Sequence, residues 1–128
     1  KENKENPIYY IQYSYARTQS VLDKTNKIID TQVLVTSELK NLYKKLLEWE
    51  NVIKSAYQKK EVHLIAHYLE SLSSYFHTLW SSSKNNPKAK FLDKDSNISS
   101  DLHKLLCNYQ NVLKDGLKIL GIKPKLQM

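Results

Sequence analysis

Three sets of side chains in this sequence have types and spacings that could do chemistry. His63 and His67 stand four residues apart, which on a helix puts two imidazoles on one face, the spacing of a helical zinc site. Leu64 follows His63 where a zinc hydrolase carries its Glu base, and neither His77 nor His103 completes a shell in sequence. No metal site is therefore expected, and the histidines read as surface or helix-packing residues. Cys107 is the one thiol and has no base beside it, so it reads as a buried structural cysteine. The third set is Tyr10, Tyr13 and Arg17. Tyrosine rings stack on bases, and a guanidinium offers a planar fork to a base edge or phosphate.

The charge pattern gives that third set its context. The net charge is +7, with about equal excess in the two halves of the chain. A distributed positive charge suits a polyanion, RNA above all, although a Lys-rich solvated surface has the same composition. Of the 20 basic residues only Arg17 is arginine, and its fork cannot be replaced by lysine at a bidentate contact.

The elements that must position these groups are helices. The 128 residues hold only 2 Gly and 3 Pro, where average usage gives about 9 Gly. Turns are then few and elements long, which weighs against a β-sandwich, a Rossmann unit or a P-loop. With 41% hydrophobic and 26% charged residues the chain is globular. A single Cys excludes an internal disulfide framework and a Cys-based zinc module. No apolar run reaches the roughly 18 residues of a membrane helix, and no signal-peptide pattern opens the chain. A reducing, cytoplasmic setting is the expectation.

Asn6-Pro7 marks a helix start. Apolar positions Ile8, Ile11, Tyr15, Leu22 and Ile29 carry a first helix from about 8 to 29. A second runs from about Ser37 to Lys59 on Leu39, Leu42, Leu46, Ile53 and Ala56, with a break possible near 49–51. A third, from about Glu61 to Ser81, turns Val62, Ile65, Leu69, Leu72, Phe76 and Leu79 inward. Residues 81–97 are polar and turn-rich, a loop. The last helix, from about Ile98 to Leu120, faces Leu102, Leu105, Tyr109, Val112, Gly116 and Ile119 inward and stops at Gly121 and Pro124. The fold class expected is all-α: an antiparallel bundle of four to five helices without a sheet. On the first helix, at 100° per residue, Tyr10, Tyr13 and Arg17 share a stripe roughly 130° from the core stripe. This face could meet RNA, pack on a neighbouring helix, or be solvated.

Several stretches resemble one family. The run from Asn6 to Arg17, Asn-Pro-Ile-Tyr-Tyr-Ile-Gln-Tyr-Ser-Tyr-Ala-Arg, resembles the opening signature of the C-terminal, DALR-type anticodon-binding domain of arginyl-tRNA synthetases. His63–Leu69, Phe76–Trp80 and Val112–Ile122 resemble later family segments in the right order. Ser14-Tyr15 stands where the family has Ala-His, so that histidine's role does not carry over. Lys125-Leu126-Gln127 departs from the family's penultimate residues.

The resemblance implies a class I synthetase anticodon-binding domain at residues 7–128, with 1–6 the remnant of a linker to a missing catalytic domain. It implies that Tyr10, Tyr13, Arg17, Phe76, Trp80 and Met128 face the anticodon loop of an arginine-accepting tRNA. ATP with Mg, and the catalysis of arginyl-tRNA formation, would belong to a parent enzyme, which the same resemblance implies to be monomeric; this segment alone, lacking the synthetase nucleotide motifs, would be inactive. The competing readings are a helical protein-interaction domain using the Tyr10/Tyr13/Arg17 stripe, and a stand-alone RNA-binding module.

Overall fold

The computed structural model describes residues 6–125. Among them, five α-helices carry the fold: α1 Pro7–Lys24, α2 Ser37–Leu46, α3 Trp49–Lys59, α4 His63–Asn85 and α5 Ser100–Ile119. Their starts follow local chemistry. Asn6 Oδ1 accepts the Ile8 amide at 3.0 Å and Pro7 fills the first turn of α1, where no amide is needed. Thr36 Oγ1 accepts the Leu39 amide in the same way for α2. Lys60 ends α3 in the left-handed conformation at φ 54°. At the end of α5 the Ile122 amide donates to Leu117 O and the Gly121 amide to Lys118 O, a Schellman closure with Gly121 at φ 76°.

Several boundaries differ from the sequence reading. α1 stops at Lys24, not near 29, and the break between α2 and α3 falls at 47–48, not 49–51. α4 runs four residues beyond Ser81, and a 3₁₀ turn at Pro87–Ala89 occupies part of the expected loop. The bundle also has a small sheet: β1 Ile28–Ile29 pairs in parallel with β2 Ile98–Ser99, Ile28 opposite Ile98. Ile29, assigned above to the helical stripe, is thus a strand residue. Two-residue strands carry too little alternation to register in a periodicity argument, so only the pairing reveals them.

The core gathers around Ile11, Leu42, Leu69, Leu72, Phe76, Leu106, Tyr109, Leu113 and Leu117, all fully buried. On α5 the inward set includes Leu106, Leu113 and Leu117, whereas Ile119, expected inward, is exposed, as is Val62 just before α4. Gly116 lets α5 approach α4: a Cβ there would stand 2.7 Å from Leu69 Cδ1.

Of the three long helices, α5 runs opposite to the other two. α5 lies antiparallel to α4, since Phe76 stacks on Tyr109 while Leu69 meets Gly116. It lies antiparallel to α1, since Ser14 meets Tyr109 and Gln12 meets the Lys123 carbonyl. α1 and α4 therefore run parallel to one another, and they touch.

Candidate nucleic-acid interface

The seam between these two parallel helices holds most of the residues singled out above. Tyr10 meets His77 at a ring separation of 5.0 Å, and further along both helices Arg17 meets Trp80. The Arg17 guanidinium carbon lies 4.2 Å from the Tyr13 ring centroid and 4.8 Å from that of Trp80. Arg17 Nη2 also donates to the Tyr13 hydroxyl at 2.6 Å. Stacking and a hydrogen bond together hold the plane of the fork, which a flexible side chain in water would not have.

His77 sits in the middle of the seam. Its Nε2 donates to the Tyr10 carbonyl at 3.3 Å, and its ring packs on Tyr10, Tyr13 and Phe76. Burial holds its imidazole below the ordinary range; the bond to Tyr10 acts against this and the charge of Arg17 reinforces it. His77 thus favours the neutral form and ties the start of α1 to α4. Lys84, one turn beyond Trp80, places its ammonium 5.6 Å from the indole. The seam therefore carries cations and aromatic rings together, the combination that binds single-stranded nucleic acid: rings for bases and fixed charge for phosphates.

The expected site residues divide. Tyr10 is exposed, and Tyr13, Arg17 and Trp80 are half-buried, so all four offer surface. Phe76 does not. It is fully buried and stacked on Tyr109 at 4.8 Å, so it supports the seam from beneath instead of facing a ligand. Its position in the α4 core stripe already requires this. Met128 lies outside the described residues. The tail leading towards it does return across α1, where Gln12 Nε2 donates to the Lys123 carbonyl at 3.1 Å.

His77 and Lys84 were not singled out for this site from sequence. Their signal was present: they lie at i−3 and i+4 from Trp80, on one face of α4. What was missing was knowledge of which helix packs against that face.

The other candidates are not brought into a site. His63 and His67 are exposed and pack edge to face, and Glu61 approaches His63 at 3.7 Å. Among the described residues no group of three or more His, Cys, Asp or Glu side chains could hold a metal ion. Cys107 is half-buried, with His103 Nδ1 3.8 Å away, so it is less deeply placed than expected. No helix among the described residues is long and apolar enough to cross a membrane.

A bundle with an aromatic and cationic seam of this kind belongs to the class of helical nucleic-acid-binding domains, and comparison with known proteins gives the family. Residues 11–128 match the family model described as the DALR anticodon binding domain, and the chain belongs to that family. It is 34% identical over its whole length to an arginine–tRNA ligase of Pelagibacter ubique, and 33% identical over 95% of its length to one of Orientia tsutsugamushi. It spans 23% of the length of each of these relatives. The solved Thermus thermophilus arginyl-tRNA synthetase shares the fold, with a TM-score of 0.76 at 23% identity; the match covers 98% of this chain and 22% of that one.

Proposed function

We infer that this domain binds the anticodon arm of an arginine-accepting tRNA through the α1–α4 seam, on behalf of a longer arginine–tRNA ligase. The observation that carries the reading is the Tyr13–Arg17–Trp80 stack, a planar cation held in place between two rings on a positively charged domain. Tyr10 and Trp80 supply surfaces for unstacked bases, Arg17 the fork, and Lys84 a neighbouring charge. The sequence relatives support the amino acid involved, since they are named as arginine–tRNA ligases. In the longer enzyme, ATP and Mg would serve arginine activation in the catalytic domain, the second partner of this one. We place the enzyme in the cytoplasm as a monomer, with this segment inactive in ATP–pyrophosphate exchange by itself.

Titration of the chain with an arginine-accepting tRNA and with a second, unrelated tRNA tests the reading. Preferential binding of the former is expected, with log K falling against log[salt] at about −0.7 per single-strand phosphate contact. Equal binding of both would favour a general RNA-binding module. No binding at low salt would favour a protein partner for the same seam.

A further inference from the structure

We propose that a cleft immediately beyond Trp80 is a second nucleotide subsite, which seats the base and phosphate of a residue adjoining the one held at Tyr13 and Arg17. The proposal rests on the RNA-binding reading and extends it along the same two helices. Val21, Trp80 and Phe91 give the cleft its apolar walls, and Lys24, Lys84 and Lys90 contribute exposed ammonium groups. Its volume is about 220 Å³. A cavity of about 150 Å³ admits benzene, so the space suits one heteroaromatic ring.

The arrangement is more than a group of surface lysines. No Asp or Glu lines the cleft, and among the described residues no carboxylate forms an ion pair with Lys24, Lys84 or Lys90. Three cations thus surround apolar surface without internal neutralisation, the pairing of charge and ring-binding wall that a nucleotide complements. Phe91 meets the indole edge to face at 5.6 Å, so the wall is braced.

The cleft also continues the first site geometrically. Arg17, Val21 and Lys24 are spaced i, i+4 and i+7 on α1, a rise of about 10 Å. Trp80 and Lys84 repeat the direction on α4. Because the two helices run parallel, their matching faces form one continuous track. Trp80 stands in the middle of it, between Arg17 and the cleft.

The test uses a synthetic RNA hairpin of the anticodon arm, carrying one abasic nucleotide at each loop position in turn, titrated by fluorescence anisotropy. Ser20→Phe fills the cleft from α1, and a Lys24→Ala/Lys90→Ala double variant removes exposed charge without touching the core. Two adjacent sensitive positions are expected, each weakening binding about ten-fold. Sensitivity at one should vanish in Tyr13→Ala, and at the other in Ser20→Phe. The double lysine variant should lower the salt slope by one to two phosphate contacts while its thermal unfolding stays unchanged. A single sensitive position, or wild-type affinity and salt slope in the double lysine variant, would overturn the second subsite while leaving the first in place. Failure of the wild-type chain to bind the hairpin, with Tyr13→Ala equally silent, would overturn the RNA reading and the subsite with it.

Discussion

The inner and outer faces of the α1–α4 seam are built from the same residue types and put to opposite uses. On the inner side Tyr109 is fully buried, its hydroxyl donates to Ser14 Oγ at 2.7 Å, and Ser14 in turn donates to the Ile11 carbonyl at 2.8 Å. Burial pushes the Tyr109 phenol above its ordinary range, and its hydrogen bond to Ser14 only partly offsets this. Phe76 stacks on the same ring. Every polar atom in that chain of bonds is partnered, as a buried network requires. On the outer side Tyr10 is exposed, and Arg17 is held by two rings and the Tyr13 hydroxyl instead of a carboxylate. Aromatic content alone does not separate a core from a binding surface. The polar partners do: the inner bonds close on one another, whereas on the outer side Arg17 has five N–H donors and, among the described residues, one hydrogen bond, to the Tyr13 hydroxyl.

The largest effect that would test this division is on the inner side. Phe76→Ala should cost about 3–5 kcal/mol of folding stability, measured by denaturant unfolding, as for other buried aromatics. If instead it leaves stability nearly intact and weakens tRNA binding, Phe76 belongs to the outer set after all. Ser14→Ala should cost about 1–3 kcal/mol, because the Tyr109 hydroxyl loses its acceptor in a dry interior. A neutral result would mean that the inner network is not closed through Ser14.

On the outer side, Arg17→Lys keeps the charge and loses the planar fork. About 1–3 kcal/mol of tRNA affinity should disappear, with little change in salt slope if the fork reads a base. Unfolding should move by less than binding does. Equal affinity in the lysine variant would reduce Arg17 to a surface charge.

The smallest effect concerns His77, which sits where the two faces meet. Its folded pKa lies below the ordinary value of about 6.5, so the unfolded chain binds more protons in the window beneath that value. The stability it contributes is present above about pH 6.5 and is lost as pH falls through the lower, folded pKa. His77→Gln should flatten the stability profile across that window. An unchanged profile would mean that protonating His77 costs the fold nothing.

Much of this division was legible in the amino-acid sequence, through two independent signals that disagreed at one residue. The 100° rotation placed Tyr10, Tyr13 and Arg17 on one non-core stripe, and the structure brings Tyr13 and Arg17 into direct contact. For Phe76, helical periodicity pointed inward while the family motif pointed to the ligand, and burial follows periodicity. A motif marks which segment makes a site; the phase of the helix decides which of its side chains reach the surface. His77 and Lys84 stayed out of the site for a different reason. They acquire meaning only from α1, 67 positions away in the Tyr10–His77 contact, and no local pattern encodes which helix will pack there. The two-residue strands escaped through brevity, and Ile119 because a strict three-to-four spacing drifts around a long helix.

The parallel contact of α1 with α4 has a thermodynamic consequence. A site whose walls are supplied from such distant parts of the chain exists only when the intervening helices are in place, so the unfolded polypeptide offers a ligand nothing comparable. Mass action then makes an occupied seam a brace for the whole bundle: at one hundred times its dissociation constant, a ligand that binds only the native form adds about 2.7 kcal/mol to the cost of unfolding. The melting temperature of the domain becomes a gauge of occupancy, readable without a label on either molecule.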